Sequence, residues 1–233
     1  MDEAEFDRFA DEYRSLHAAN IAISGESPEY FAEYKIKDLA TEYGARRGSA
    51  GHAPRVLDFG AGVGTSVPFL RKYLPQGQIT CLDVSAKSLE VGQSRFPNEA
   101  TFIHFHGTSL PFPESSFDIA FAACVFHHIG PAEHVGLLRE FYRVLAPGGI
   151  AVVFEHNPYN PLTVHAVNTC PFDANARLIP AAAMRARIAA AGFRDARIRY
   201  RIFFPRFLRA LRPCEPWITW LPLGAQYYAL AIR

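Results

Sequence analysis

Cysteine is scarce in this chain, with four in 233 residues, and no two stand in a CxxC spacing. Cys81, Cys124, Cys170 and Cys214 therefore supply neither a zinc-ligand pattern nor a disulfide framework. Cys81 and Cys124 fall in apolar, strand-like runs and read as small buried hydrophobes. This usage fits a reducing, cytoplasmic setting. No apolar run approaches the roughly 20 residues of a membrane span, which argues against stable membrane insertion. The opening MDEAEFDRFADEY lacks the basic and apolar regions of a secretory signal. Repeats and low-complexity tracts are missing. Net charge is only +1, and the basic residues are not interleaved with an aromatic platform, so nucleic acid is not an expected partner.

What remains is an ordinary globular composition, 49% hydrophobic and 20% charged, at a length most simply read as one domain. The most informative run is Val56-Leu57-Asp58-Phe59-Gly60-Ala61-Gly62-Val63-Gly64-Thr65. A short apolar strand ends in an acid and breaks into a loop with glycine at every second position, followed by a helix. Gly60, Gly62 and Gly64 permit a tight turn and let a ligand approach the backbone at Ala61. A dinucleotide fingerprint would need Gly or Ala at position 65, where Thr65 stands. The reading therefore moves to a nucleoside ligand without a pyrophosphate.

Beyond this loop, strands and helices alternate. Strands are expected at 54–59, 78–83, 101–105, 117–124 and 150–155, with helices at 65–73, from 86, and at 132–145. The order implies parallel strands with crossover helices. Residues 117–124 are nearly all apolar, as in a central strand covered on both faces. Pro147-Gly148-Gly149 reads as a turn into the next strand. Upstream, 2–19 and 28–47 read as helices, the second with Ser27 as N-cap and Pro28 at its first position. Downstream, a helix at 180–191 stops at Gly192. Strands at 193–204 and 224–233 flank a Pro- and aromatic-bearing insertion, 205–222, that holds both Trp217 and Trp220.

Four blocks in order, VLDFGAGVGT, CLDVS (81–85), LPFPESSFDIAFAACVFHHI (110–129) and REFYRVLAPGGIAVVFEHNP (139–158), resemble the class I S-adenosylmethionine-dependent methyltransferases. The likeness is to the small-molecule group that includes ubiquinone- and menaquinone-type enzymes. It implies an α/β Rossmann-like fold: a seven-stranded, mostly parallel sheet with an antiparallel last strand and helices on both faces. Residues 1–50 would form a helical lid, 54–155 the cofactor core, and 156–233 the substrate-side loops and a C-terminal hairpin. It also implies S-adenosyl-L-methionine as cofactor and a single methyltransferase domain.

On this resemblance, Asp83 would accept the ribose hydroxyls and Val84 would pack on the adenine. Relatives often carry an acid after the third strand. His106 stands there instead, so His106, Gly107 or Thr108 would meet the adenine amino group. Asp58 could attract the methionine ammonium or cap the glycine loop, and Ala123 ends the fourth strand beside it. His127 and His128 follow that strand, where imidazole could take a proton or could merely wall the pocket. Glu155, His156 and Asn157 end the fifth strand and read as substrate contacts or as loop bracing. Tyr13 and His17, one helical turn apart, would belong to the lid or to a packed helix face. The strand ends offer histidines rather than converging carboxylates, so no catalytic metal is expected.

The expected activity is methyl transfer to oxygen, or to nitrogen, of a small metabolite. The alternative is a non-catalytic cofactor-binding partner or regulatory protein on the same fold. Charge is uneven: ten arginines and one acid, Asp195, lie between Arg177 and Arg212. That segment is either a solvated face or a docking site for an anionic or carrier-linked acceptor or an acidic lipid headgroup.

Overall fold

The computed structural model describes residues 18–47 and 53–233. Tyr13 and His17 lie outside the described residues. Seven strands form one sheet: β1 (Arg55–Phe59), β2 (Gln78–Asp83), β3 (Thr101–His104), β4 (Phe117–Ala123), β5 (Leu145–His156), β6 (Arg194–Arg201) and β7 (Gln226–Ile232). Their spatial order is β3-β2-β1-β4-β5-β7-β6. β1 to β5 run parallel, and β7 pairs antiparallel with both β5 and β6. This is the Rossmann-like sheet that the four sequence blocks imply.

The alternation of side chains along each strand divides the core in two. Leu57, Phe59, Ala120, Ala122, Ala151 and Val153 face one layer, formed by helices α4 (His134–Val144) and α6 (Ala181–Ala190). Val56, Ile119, Phe121, Val152 and Phe154 face the other, formed by α1 (Pro28–Arg47) and α2 (Val67–Tyr73). α4 shows why: Leu137, Leu138, Phe141 and Val144 recur at helical spacing and are buried. α3 (Ala86–Arg95) starts under its own cap, because the Ser85 hydroxyl accepts from Ser88 N–H at 3.0 Å.

Two parts differ from the sequence pattern. Pro147-Gly148-Gly149 is not a turn ahead of the strand. β5 begins at Leu145, opposite Phe117, and its register shifts before Ile150 pairs with Ile119. Gly148, at φ +77, donates to Arg233 O. The strand thus passes through a bulge that lets the chain's last residue pair there. The Pro-bounded stretch after β5 is also not all loop. Asn160 accepts from Thr163 N–H at 3.0 Å and caps α5 (Pro161–Thr169), with Pro161 at its first position, where no N–H is needed. The 205–222 insertion holds a 3-10 segment, Arg206–Cys214, and a short helix α7 (Glu215–Ile218).

The loop after β1 is fixed to β2 by Gly60 and Ala61 N–H donating to Leu82 O at 2.7 and 3.1 Å. Gly60 has φ +73, and an added Cβ would stand 2.4 Å from Val125 Cγ2. Gly62 also has positive φ, +51, but an added Cβ would meet nothing within 4 Å. Gly60→Ala should therefore cost about 2–5 kcal/mol, from overpacking plus a left-handed backbone. Gly62→Ala should cost about 1–2 kcal/mol from the backbone alone. Urea midpoints at unchanged m check the pair. Equal losses would mean that the Val125 contact plays no part.

Candidate functional site

A cavity of about 270 Å³ lies at the C-terminal ends of β1 and β4, where open α/β sheets hold ligands. One wall is the glycine loop, including Gly60, Ala61 and Gly62, with Asp58 and Asp83. The opposite wall is His127, His128, His156 and Asp173. Residues from α1, α5 and the stretch 202–205 close the sides.

Asp83 is doubly held, its Oδ2 accepting Gly62 N–H at 2.7 Å and its Oδ1 accepting Ser85 N–H at 2.9 Å. Burial raises its pKa despite these donors. Because Ser85 caps α3, Asp83 is spared that task. With Val84 as a further backbone donor, the carboxylate still has room to accept from a ligand hydroxyl. Asp58 is only 1% exposed, and its Oδ2 is the single buried side-chain oxygen or nitrogen without a hydrogen-bond partner among the described residues. Burial pushes its carboxyl up to about 7, and the charge on Asp83 adds to that. The Ser66 hydroxyl and the Lys35 charge pull the other way. An orphan carboxyl of this kind, beside a backbone loop open at Gly62, fits the ammonium and sulfonium charges of S-adenosylmethionine.

The opposite wall is built on an ion pair. His127 Nδ1 lies 2.6 Å from Glu155 Oε2, with the two side chains 1% and 0% exposed. Glu155 Oε1 also accepts Phe126 N–H at 2.8 Å. Asp173 Oδ1 stands 3.6 Å from His127 Nε2 and 3.3 Å from His128 Nε2. Burial would favour the neutral imidazole of His127, but Glu155 and Asp173 outweigh it and raise the pKa to about 10. His127 is thus an imidazolium at neutral pH and has no site left to take a proton. In turn, the histidines hold the Asp173 carboxyl well below the usual range against the effect of burial. The three donor atoms of His127, His128 and Asp173 lie within 4.8 Å of one another. A metal there would have to displace an imidazolium that two carboxylates already neutralise.

Several expected residues fall elsewhere. Glu155 faces His127 rather than the cavity. Asn157 is fully buried, donating to Pro222 O and Gly224 O and accepting Tyr159 N–H, which is the bracing reading. His106, Gly107 and Thr108 are exposed and Val84 is buried, and none borders the cavity. The reason is local. β3 ends at His104, whose Nε2 meets Val84 O at 2.9 Å, and His106 packs edge-on against it at 4.0 Å. Gly64 also lies off the cavity, where an added Cβ would meet Phe96 at 3.1 Å. Ala123 and His156 do line it.

The structure adds residues that the pattern did not single out. Lys35 of α1 borders the cavity with Nζ 3.4 Å from Cys124 Sγ. Burial would raise the Cys124 thiol, but His156 and Lys35 bring it down to about 7. Gln226 sits between His156, at 3.3 Å, and Tyr34, whose hydroxyl donates to it. Asp173 had no signal beyond being an acid in a Pro-bounded loop. The near-complete burial of Lys35 depends on the sheet packed against α1.

A methyltransferase-domain family model matches residues 57–153. The ubiquinone/menaquinone biosynthesis C-methyltransferase of Hahella chejuensis is 32% identical over 51% of this chain and 50% of its own length. The demethylmenaquinone methyltransferase of Deinococcus radiodurans is 31% identical over 57% of each. The chain therefore spans little more than half the length of these curated relatives. Among solved structures, a SAM-dependent methyltransferase from Archaeoglobus fulgidus superposes with TM-score 0.66 at 16% identity, covering 87% of this chain and 94% of that one. Phosphoethanolamine N-methyltransferase 2 of Haemonchus contortus, solved with S-adenosyl-L-methionine, gives TM-score 0.59 at 18% identity over 84% and 52%.

The raised Asp58 carboxyl predicts pH-dependent binding of a cationic cofactor beside it. A cationic ligand favours the carboxylate, so affinity should rise about tenfold per pH unit below about 7 and level off above it. Asp58→Asn should abolish that slope and weaken binding by about 1.5–3 kcal/mol. Calorimetric titration across pH reads both, and an unchanged slope in the variant would remove Asp58 from the contact. The sheet order and the glycine loop held by Asp83 agree with the family match: residues 57–153 carry a methyltransferase domain on a Rossmann-like sheet.

Proposed function

We propose that this chain transfers the methyl group of S-adenosylmethionine to an oxygen, or secondarily a nitrogen, of a small metabolite. The observation that carries this reading is the Asp173–His128 pair on the cavity wall opposite Asp58 and Asp83. It offers an ionised carboxylate and an imidazole to an O–H or N–H nucleophile. The cofactor supplies an already activated methyl group, so the protein need only align the acceptor, exclude water and receive one proton. Gly62 and Asp83 hold the donor side and Asp58 its ammonium. Asp173 holds His128 in place, and His128 orients the acceptor and takes its proton. His127, already charged, is a positioning residue that fixes Asp173.

Labelled methyl transfer to panels of phenolic, enolic, carboxylic and amine acceptors tests the proposal. Transfer to carbon alone, the chemistry named for the quinone-pathway relatives, would overturn it. Cofactor binding with no transfer to any acceptor would support a regulatory role instead.

The two histidines should separate. His128→Ala should lower kcat by about 10²–10⁴ with cofactor affinity nearly unchanged. His127→Ala should act first on stability, because it leaves Glu155 buried without its partner, at a cost of about 3–5 kcal/mol. The raised pKa of His127 gives that pair a pH signature. Its contribution is complete below the unfolded pKa of about 6.5 and is lost as pH rises through about 10. Denaturant midpoints should therefore fall across that interval in the parent and fall less in His127→Gln. A parallel decline in both would deny the pair its role.

A further inference from the structure

We propose that the segment 206–223, together with 159–162, is a docking surface for an anionic lipid bilayer, and that it presents the mouth of the cavity to the membrane. The inference rests on the proposed methyl transfer only for the surface's purpose, a lipophilic acceptor. The docking itself stands on the following observations.

The eight large apolar side chains that stand exposed among the described residues all fall within these two segments. Phe207 is 81% exposed, Trp217 75%, Trp220 67% and Tyr159 63%. Scattered exposed apolar residues are ordinary, but their confinement to one region is not. A hydrogen bond joins the two segments, Asn160 Nδ2 donating to Leu223 O at 2.8 Å, and Asn157, two residues before the shorter one, donates to Pro222 O at 3.0 Å. The region is also ordered from within. Glu215 is buried and accepts Phe203 and Phe204 N–H, and Trp220 Nε1 donates to Trp217 O at 3.1 Å.

The charge is complementary to such a partner. The 3-10 segment Arg206–Cys214 is kinked at Leu208. Arg206, Arg209 and Arg212 recur at every third position along it, among the exposed Phe207, Leu208 and Leu211. Arg212 is engaged by Glu26 at 2.8 Å; Arg206, which donates to Gly25 O at 3.2 Å, and Arg209 are exposed. Arginine beside exposed tryptophan, phenylalanine and leucine is the composition of a segment that lies in the headgroup region. No described helix is long and apolar enough to cross a membrane, so the contact is peripheral. Its place is informative too: Leu162, Phe203 and Pro205 border the cavity and are continuous with the two segments. A docked bilayer would meet the cavity mouth. An acidic carrier protein would match the arginines but leave the tryptophans unexplained.

Both of the chain's tryptophans lie on this surface, so intrinsic fluorescence reports on it directly. The full chain is titrated, without cofactor or acceptor, with vesicles of phosphatidylcholine with and without phosphatidylglycerol. The expected result is a blue shift and co-flotation with the phosphatidylglycerol vesicles, weakened by salt. Arg206→Ser and Arg209→Ser should each lower partitioning about fivefold on those vesicles only. Phe207→Ser with Leu211→Ser should lower it at least about tenfold on both. All variants should keep the parent's S-adenosylmethionine affinity, which shows that they are folded. No shift and no flotation at low salt would overturn the proposal. So would salt-sensitive binding to an acidic carrier protein with none to vesicles. A chain that docks but transfers no methyl group would sink the proposed activity and leave the surface standing.

Discussion

His127 and Glu155 meet across the junction between β4 and β5, wholly buried, and the cavity wall opposite the glycine loop is referenced to that contact. Glu155 belongs to a strand and can scarcely move. Through its two oxygens it fixes both the imidazole and the Phe126 N–H, and so the turn that follows β4. The charged imidazole then gives Asp173 a partner at the point where the chain returns after α5. Two ionised groups in low dielectric are costly singly and tolerable together. The arrangement therefore holds as a unit, tying β4, β5 and the segment after α5 to one geometry.

The donor side follows a different logic. Its acids are not paired with cations but are left short of partners. Asp83 is met by backbone N–H groups alone, and Asp58 keeps an oxygen with no partner. Among the described residues nearly every buried polar side-chain atom is satisfied, yet the Asp58 carboxyl, raised to about 7, keeps an oxygen without a partner. A cationic ligand would complete it. The difference between the two walls, one internally neutralised and the other awaiting charge, gives the cavity a direction.

Much of this was legible in the residues. The alternation of strands and helices, the glycine loop after an acid-ended strand and a second acid at Asp83 are local signals. They specified the sheet and one wall of the site, because strand ends on a parallel sheet share an edge. What could not be read came from longer range. Whether Glu155 faces solvent or His127 depends on the register of β5 against β4, and that register shifts at a bulge. His106 sits where relatives place an acid, but the chain turns outward after His104. Asp173 is positioned by α5, a helix of nine residues that two prolines and an Asn cap made look like a loop.

The arginine-rich stretch shows the same limit. In sequence its ten arginines are one feature, but in space they divide. Arg187 meets His134, Arg199 meets Thr219, Arg201 pairs with Asp38 and Arg212 with Glu26. Arg187 joins α6 to α4, Arg199 joins β6 to the insertion, and Arg201 and Arg212 reach α1 and the residues just before it, while Arg206 and Arg209 are exposed, Arg206 with one bond to Gly25 O. The inner and outer sets share a backbone, because the Glu215 carboxylate accepts from Phe203 and Phe204 at the cavity wall and belongs to the helix that carries Trp217. The exposed aromatic surface and the cavity boundary are therefore one packed piece.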